Sequence, residues 1–279
     1  MSDFAAYLPV LVPAALVGML AGVLAGMLGI GGGLVIVPAL VWIYTAQGYA
    51  PALVMQLAVA TSLASILFTG LSSVRAHHAR GAVRWDLVGM LAPALMVGAY
   101  AGSHVADAVG GEWLKRLFGI FAALIGLQML LVRAATQVEA ALVADELAPS
   151  RLRRFGNVVA GLAIGIASAL FGIGGGSLVV PYLNATGVRM QHAVATSSAC
   201  GVPIAIAGAA GFVVAGWHNP QLPAGAIGYV HLPTLAALAI ASMPMARVGA
   251  GLAHRLPAAA LQRVFAVVLM LVAVDFLVR

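Results

Sequence analysis

Leu28-Gly29-Ile30-Gly31-Gly32-Gly33 and Phe171-Gly172-Ile173-Gly174-Gly175-Gly176 are two copies of one glycine-rich stretch, and a proline follows each copy five residues after its last glycine. We call residues 29–33 the first glycine cluster and residues 172–176 the second. Several glycines in a row break a helix and leave backbone N–H groups without helical partners. Both clusters are surrounded by apolar sequence, so the pattern predicts two broken helices.

The two clusters belong to a duplicated chain. Residues 55–62 (Met-Gln-Leu-Ala-Val-Ala-Thr-Ser) match residues 190–197 (Met-Gln-His-Ala-Val-Ala-Thr-Ser), and further identities keep the same order on both sides of each cluster. The pairs outside these stretches are Gly18 with Gly161, Gly22 with Gly165, Pro38 with Pro181, Gly102 with Gly249, Leu114 with Leu261, Arg116 with Arg263 and Phe118 with Phe265. The sequence therefore predicts two homologous halves.

Composition places these halves in a membrane. Of 279 residues, 63% are hydrophobic and 8% are charged, whereas a soluble domain carries about 25% charged residues. The basic residues are scattered between apolar segments, which is typical of membrane-protein loops and argues against nucleic-acid binding. The first basic residue is Arg75, so no signal peptide is predicted and the first apolar stretch is expected to remain. The one cysteine, Cys200, excludes an internal disulfide or a multi-cysteine metal site.

Hydrophobic runs of about 20 residues predict an all-α polytopic membrane protein. The domains expected are an N-terminal transmembrane repeat (1–133), a polar cytoplasmic linker (134–154) and a C-terminal transmembrane repeat (155–279). Two shorter apolar runs, 34–46 and 177–187, follow the glycine clusters and are expected to cross the bilayer or to re-enter it. The eight long predicted spans are 8–28, 51–73, 86–107, 114–133, 155–172, 190–216, 228–247 and 258–278.

The distribution of basic residues indicates that the two repeats are inverted. If each short run returns toward the side from which the preceding helix came, 11 of the 14 Lys and Arg residues fall on one side; if each cluster only kinks one span, the number is 8. Loop 74–86 is basic, while its counterpart 217–227 has no Lys, Arg, Asp or Glu. Because short cytoplasmic loops are enriched in Lys and Arg, the inverted arrangement is favoured, with both termini outside the cytoplasm.

The glycine clusters are the strongest candidates for a binding site. A helix that restarts after a cluster points its free N–H groups and positive dipole end into the bundle, which suits a small anion. Paired broken helices in corresponding positions mark the binding site of many transporters. The predicted ligands are Gly29, Gly31, Gly32 and Gly33 in the first half, and Gly172, Gly174, Gly175, Gly176 and Ser177 in the second. The alternative is that the glycines only allow close packing, which is the interpretation preferred for Gly18, Gly22 and Gly26.

Polar residues within the predicted helices supply further candidates. Thr61, Ser62, Thr196 and Ser197 carry hydroxyls that would bind an oxyanion or bond their own helix backbone. Gln56 and Gln191 lie five residues earlier and would line an entrance or sit at the interface. Cys200 is expected to fill space in the core.

Ionisable residues are scarce within the spans. His104 and Asp107 lie three residues apart on one face of the 86–107 helix and are the predicted proton carriers, with His192 and His231 as weaker candidates. No His-Glu-x-x-His, Gly-x-Ser-x-Gly or phosphate-loop motif is present. The sequence therefore predicts neither a hydrolytic enzyme nor an ATP-driven pump, and a passive anion channel stays an alternative.

At these residues the chain resembles the TauE/SafE family of sulfite exporters, also called the toluene-sulfonate uptake permeases. The resemblance rests on the duplicated halves, on both glycine clusters with their prolines, and on the Ala-Thr-Ser elements 60–62 and 195–197. It implies a bacterial inner-membrane permease for sulfite, an organosulfonate or a related anion, coupled to protons. Expected partners are the small anion and the bilayer; no cofactor or metal is expected. The substrate, the direction of transport and whether the protein forms a homo-oligomer stay open, as does transport of another small organic anion.

Overall fold

A computed structural model describes residues 2–28, 32–131, 151–252 and 258–278 of the chain. The described residues form ten helices and one short β-hairpin between the eighth and ninth helices. The elements are α1 Ser2–Leu28, α2 Gly33–Ala46, α3 Pro51–His78, α4 Trp85–Val109, α5 Gly111–Leu131, α6 Arg151–Phe171, α7 Gly176–Ala185, α8 Met190–Gly216, β1 Ala226–Ile227, β2 Val230–His231, α9 Leu232–Leu252 and α10 Ala258–Val278.

The helices have the lengths and composition of membrane spans. Five described helices are long and apolar enough to cross a bilayer, and four shorter apolar segments accompany them. The five lie at Leu8–Ala25, Pro51–His78, Trp85–Val109, Gly111–Leu131 and Met190–Gly216. Many large apolar side chains on the outer faces are exposed, for example Leu131 and Ile240, as expected when lipid is the solvent. The predicted helical membrane fold is confirmed.

Element boundaries differ from the predictions at a few places. The span predicted to begin at 228 starts at Leu232, because β1 and β2 pair antiparallel just before it, with Ala226 opposite His231. Helix α6 already begins at Arg151, so the last four residues of the predicted linker are helical. The rest of that linker, up to residue 150, lies outside the described residues.

Equivalent helices of the two halves run in opposite directions. In the α3–α8 pair, Leu63 lies against Gly208, whereas Ser73 hydrogen-bonds Ser198 at 3.3 Å. The α5–α10 pair is likewise antiparallel, with Gly119 against Phe276 and Gly126 against Ala266. Sequence matching makes α3 equivalent to α8 and α5 equivalent to α10. The repeats are therefore inverted relative to each other, as the charge pattern indicates.

The halves also exchange contacts through small residues. A Cβ added at Gly18 of α1 would lie 2.9 Å from the carbonyl oxygen of Leu238 on α9. One added at Gly22 would lie 2.5 Å from the carbonyl oxygen of Ser242 on the same helix. The equivalent Gly165 of α6 lies directly against the carbonyl oxygen of Leu95 on α4. The first helix of each half thus packs on the fourth helix of the other half. These contacts confirm the packing role predicted for Gly18 and Gly22.

Helices α2 and α7 return along the helices that precede them. The Gln47 side chain, just after α2, donates to the Pro9 carbonyl at 3.3 Å, while Gly32 at the other end of α2 lies beside Ala21. In the second half, the Tyr182 hydroxyl of α7 donates to Asn157 near the start of α6. At a rise of 1.5 Å per residue, α2 and α7 are about 21 Å and 15 Å long. Each hairpin therefore begins and ends at the same end of the bundle.

The two hairpins enter from opposite ends and meet near the middle of α3. A Cβ added at Gly172 would lie 3.2 Å from the backbone of Val59, and one at Gly174 would lie 2.6 Å from the Ile66 side chain. Val59 and Ile66 lie on either side of the midpoint of α3. This is the geometry of two re-entrant segments whose tips touch at mid-height of the bundle.

Candidate functional site

The tips of the two hairpins are in direct backbone contact. A Cβ added at Gly33 would overlap the carbonyl oxygen of Gly172 and lie 3.1 Å from the Cα of Ile173. The structure therefore brings the two predicted glycine clusters together. Gly29 and Gly31 lie outside the described residues, so their predicted role stays a prediction.

Each short helix starts at a glycine with left-handed backbone. Gly32 precedes α2 with a φ of 64°, and Gly175 precedes α7 with a φ of 76°. L-residues avoid this region because of Cβ crowding, so glycine is needed at both positions. The turn leaves the first N–H groups of α2 and α7 free, and in the described part of the chain they have no backbone acceptor. These groups belong to Gly33, Leu34, Gly176 and Ser177.

The second cluster is enclosed by α3 on one side and by α8 on the other. Gly201 of α8 lies directly against the carbonyl oxygen of Gly174, and a Cβ added at Gly175 would lie 2.8 Å from the Ile204 side chain. Residues 172–176 are all buried. The start of α7 is therefore a buried, tightly fitted backbone surface with its N–H dipoles in the protein interior, the arrangement in which such dipoles act most strongly.

The hydroxyls of the Ala-Thr-Ser elements are mostly engaged. Ser62 donates to the carbonyl oxygen of Gly172 at 2.8 Å and so fixes the second cluster. The oxygen of Thr61 accepts the His231 backbone N–H at 3.1 Å, and that of Thr196 accepts the Arg84 backbone N–H at 3.1 Å. Thr61 of α3 is thus bonded to the residue before α9, and Thr196 of α8 is bonded to the residue before α4. Each bond joins one half to the other.

Three buried hydroxyls of the second half have no hydrogen-bond partner in the described structure. They belong to Ser168 near the end of α6, Ser177 in the first turn of α7 and Ser197 in α8. Ser168 and Ser197 are fully buried. A buried hydroxyl without a partner is unfavourable by about 1–3 kcal/mol, so the Ser177 hydroxyl at the start of α7 is a donor that a ligand bound there would satisfy.

A fully buried histidine lies beside Thr61. The Nδ1 of His231 is 2.7 Å from the Thr234 hydroxyl, and its Nε2 is 3.5 Å from the Tyr49 hydroxyl. The rings of Tyr44 and Tyr49 stack on each other, and both meet the imidazole edge to face. Three chain segments that are distant in sequence meet around this ring, so no local pattern indicates that His231 is buried here.

The predicted entrance glutamines have different surroundings. Gln56 is buried, and in the amide orientation that satisfies both of its groups it donates to Ala52 and accepts from the Gly111 N–H at 3.0 Å. It therefore caps the start of α5. Its counterpart Gln191 is exposed near the start of α8. The structure does not place the two glutamines in one shared opening.

The predicted proton carriers lie away from the glycine clusters. Asp107 accepts a hydrogen bond from Tyr229 at 2.5 Å, and the His104 ring packs edge to face on Tyr100. Burial, together with the bond to Asp107, raises the pKa of Tyr229 to about 12, so that its hydroxyl stays a donor at physiological pH. Asp107 is near the end of α4, roughly 20 Å along the bundle from Gly201 on helical rises. The Tyr229–Asp107 hydrogen bond therefore attaches the β-hairpin to α4.

The geometry defines a class of protein: a polytopic helical membrane protein with inverted repeats and two re-entrant hairpins whose tips meet inside the bundle. Comparison with known sequences agrees. Residues 14–276 match the family described as sulfite exporter TauE/SafE. The chain belongs to this family.

Relatives are named as membrane transporters. A "Probable membrane transporter protein" of Haemophilus influenzae is 36% identical over 264 residues, which is 95% of this chain and 97% of that protein. One from Methanocaldococcus jannaschii is 26% identical and covers 88% of this chain and 86% of that protein. No solved structure matches the chain significantly. Family and relatives thus indicate a membrane transporter rather than an enzyme.

Proposed function

We propose that the protein is a secondary transporter that carries a small sulfur-containing oxyanion across the bacterial inner membrane, with the anion bound where the two hairpin tips meet. The observation that carries this proposal is the start of α7, a buried left-handed turn whose first N–H groups have no backbone acceptor in the described residues and which carries the unpartnered Ser177 hydroxyl. Oxyanions are bound by such donors at helix N-termini. Sulfur as the central atom rests on the family name alone.

The roles of the predicted residues follow from their contacts. The N–H groups of Gly33, Gly176 and Ser177 would donate to the anion, together with the hydroxyls of Ser177 and Ser197. Gly32, Gly172, Gly174 and Gly175 would shape the backbone, because side chains there would fill the space or oppose the turn. Ser62 would fix the second cluster through its bond to Gly172, and Thr61 and Thr196 would link the halves.

Alternating access would come from rocking the two halves about the fixed tips. Each half is inverted relative to the other, so the two exposed states would be related by the same symmetry that relates the repeats. The paired threonine bonds between halves, both at 3.1 Å, would then act as equivalent hinges.

Proton coupling is assigned to His231 in this proposal rather than to His104 or Asp107. The imidazole is buried next to Thr61, whose neighbour Ser62 bonds the second cluster. The titratable groups that face it are Tyr44 and Tyr49. A proton taken up here would lie beside Thr61, which is next along α3 to the serine that bonds the second cluster, so its charge would act on the hairpin tip through the low-dielectric interior.

The test is a two-step measurement on the purified protein. A thermal-shift screen with sulfite, thiosulfate, methanesulfonate, sulfate, phosphate and acetate identifies the anion that stabilises the fold; a hundredfold excess over Kd adds about 2.7 kcal/mol. Proteoliposomes preloaded with that anion are then assayed for counterflow of the labelled anion. Accumulation against its gradient supports a transporter, whereas flux that only relaxes the gradient supports the channel alternative. Absence of both stabilisation and flux with every anion rejects the proposal.

A further inference from the structure

Two tyrosines and a histidine pack together on one side of the hairpin tips. We call Tyr44, Tyr49 and His231 the aromatic cluster. The ring centroids of Tyr44 and Tyr49 are 5.2 Å apart, and each lies 5.8 Å from the centroid of the imidazole. The rings come from α2, from the loop after it and from β2. The aromatic cluster therefore joins the end of α2 to the residue before α9.

The aromatic cluster is connected to the middle of α3. The Tyr44 hydroxyl donates to the Thr61 hydroxyl oxygen at 3.5 Å, and the His231 backbone N–H donates to the same oxygen at 3.1 Å. Thr61 precedes Ser62, whose hydroxyl bonds Gly172 of the second glycine cluster. The aromatic cluster thus begins one residue along α3 from a contact of the hairpin tips.

The other side of the aromatic cluster faces one end of the bundle. Loop 47–50 joins α2 to α3, and loop 217–225 follows α8; because α3 and α8 are antiparallel, both loops lie at the same end. Neither loop contains Lys or Arg, so we call this the neutral end and the end with loop 79–84 the basic end. A path from the neutral end to the tips along this face of α3 must pass the aromatic cluster.

The equivalent place at the basic end is exposed. The internal repeat that aligns α4 with α9 puts Arg84 at the place of His231, and the backbone agrees, because each N–H bonds the matched threonine, Thr196 or Thr61. The imidazole is fully buried. The Arg84 side chain is 47% exposed and pairs at 2.8 Å with Asp86, whose side chain is 59% exposed. A charged pair of this exposure is hydrated, so water reaches the basic-end position.

The two tyrosines come from a segment that is longer in the first half. The interval between the matched proline and methionine is 17 residues in the first half (38 to 55) and nine in the second (181 to 190). Helix α2 has 14 residues and α7 has 10, and Tyr44 lies in the last four of α2. Tyr49 follows in the loop. The second half therefore has no matched segment from which to build the same rings at the basic end.

The chemistry of these side chains suits a contact that opens to water. The imidazole Nδ1 is 2.7 Å from the Thr234 hydroxyl, and its Nε2 is 3.5 Å from the Tyr49 hydroxyl. Tyrosine and histidine combine an apolar ring with a polar edge, so they exclude water when packed and are hydrated when separated. A purely apolar contact would resist separation more strongly, because all of its surface would be unfavourable in water.

We propose that the aromatic cluster is the gate that closes the anion path toward the neutral end, and that it opens when α2 and loop 47–50 separate from β2 and the start of α9. The structure is accordingly a state that is closed at the neutral end. The inference rests on the proposed rocking of the two halves and assigns named side chains to one of its two closures.

An iodide leak assay tests the gate without knowledge of the substrate. Proteoliposomes with an entrapped dye that iodide quenches report the influx of a small bystander anion, which a transporter with one end always closed excludes. In Tyr49→Ala the neutral end would lack its closure, and the path would be continuous whenever the basic end is open. We expect iodide influx at least about tenfold faster than in the wild type.

Three variants separate the gate from general loosening. Tyr49→Phe keeps the ring that stacks on Tyr44 and should keep the wild-type influx. Tyr49→Leu is the milder truncation should the alanine variant unfold, and its influx should lie between those of Tyr49→Ala and wild type. Tyr182→Ala removes a half-buried tyrosine of α7 whose hydroxyl bonds Asn157; it should lower the unfolding midpoint about as much as Tyr49→Ala without an iodide leak. Wild-type influx in both truncations of Tyr49, or an equal leak in Tyr182→Ala, would overturn the gate.

The outcomes separate this inference from the proposed function. If the wild type carries none of the tested anions and Tyr49→Ala leaks iodide, the gate stands and the anion assignment falls. If the wild type accumulates its anion and Tyr49→Ala excludes iodide, the gate falls and the transporter proposal stands. Iodide influx in the wild type as fast as in Tyr49→Ala would reject the gate and favour the channel alternative.

Discussion

At the level of single residues, equivalent positions of the two halves can have different hydrogen-bond partners. Ser62 and Ser197 match in sequence, yet Ser62 donates to Gly172 and Ser197 has no partner among the described residues. Thr61 and Thr196, in contrast, make the same bond to the other half at the same 3.1 Å distance. The two halves therefore share the threonine bond that joins them and differ in the hydrogen bonding of the matched serines.

Gly175→Ala tests the left-handed helix start. The fold would hold the alanine in a left-handed conformation, which is unfavourable by about 1–2 kcal/mol for a residue with a Cβ. The new Cβ would also lie 2.8 Å from the Ile204 side chain. We expect the α7 start to shift and anion exchange in proteoliposomes to fall by at least tenfold. The control Gly48→Ala has a similar φ of 73° but nothing within 4 Å of its Cβ, so it should lose stability and keep exchange. Normal anion exchange in Gly175→Ala would contradict the assignment of the anion site to the start of α7.

His231→Gln tests the coupling residue. Glutamine keeps the capacity to bond Thr234 and Tyr49 but cannot take up a proton near neutral pH. We expect anion counterflow to persist while uptake driven by an imposed pH gradient is lost. The exposed His218 gives the control His218→Gln, which should retain both activities. Gradient-driven uptake in His231→Gln equal to wild type would exclude His231 as the proton carrier.

At the scale of elements, the short helices are positioned by long ones of both halves. The α1–α2 hairpin is held on α9 through Gly18 and Gly22, and the α6–α7 hairpin is held on α4 through Gly165. The packing partners thus come from the opposite half in each case. In the proposed rocking motion, movement of one half would therefore act on the other half's hairpin through these contacts.

Gly22→Ala tests this docking. A Cβ here would lie 2.5 Å from the Ser242 carbonyl oxygen, so the helices must separate, at a cost of about 1–3 kcal/mol. The control is Gly89→Ala in α4, where nothing lies within 4 Å and the gain in helix propensity is about 1 kcal/mol. Thermal unfolding in detergent should therefore show a lower midpoint for Gly22→Ala and an equal or higher one for Gly89→Ala. Similar midpoints would mean that α1 is free to move on α9.

At the scale of the whole molecule, the inverted repeats put the two ends of the bundle in different environments. Loop 79–84 between α3 and α4 lies at the end opposite to loop 217–225 between α8 and α9, because α3 and α8 are antiparallel. The first loop contains Arg80 and Arg84, and the second has no Lys or Arg. The basic end is expected to face the cytoplasm.

Cysteine labelling tests this orientation. Ala79→Cys and Gln221→Cys, each in a Cys200→Ala background, should react with a membrane-impermeant maleimide from opposite sides of the membrane. Both positions are exposed, and Cys200 itself is fully buried. We expect Ala79→Cys to react only in inside-out vesicles and Gln221→Cys only in intact spheroplasts. Labelling of both from the same side would restore the parallel arrangement of repeats.

Several features were accessible from the sequence because they depend on local composition or on internal comparison. Apolar runs predicted the helices, and the duplicated glycine clusters predicted two breaks, since each glycine in a helix costs about 0.5–1 kcal/mol relative to alanine and several in a row add that cost at one place. The distribution of arginines indicated inverted repeats, which the antiparallel α3 and α8 confirm. Gly18 and Gly22 were predicted as packing residues from their spacing of four, which matches one helix face.

The tertiary structure decided which polar groups are free. Sequence alone gave Ser62 and Ser197 equal rank, and only the approach of Gly172 to α3 satisfies one of them. It left Gln56 either at an entrance or at the interface between halves, whereas contact with Gly111 makes it a cap of α5. Spacing along one helix suggested His104 and Asp107, but the buried imidazole near the tips is His231, brought there by β2 from the far end of the chain. Hydrogen-bond satisfaction depends on distant segments meeting, and that information lies in the packing of the two halves rather than in any local pattern.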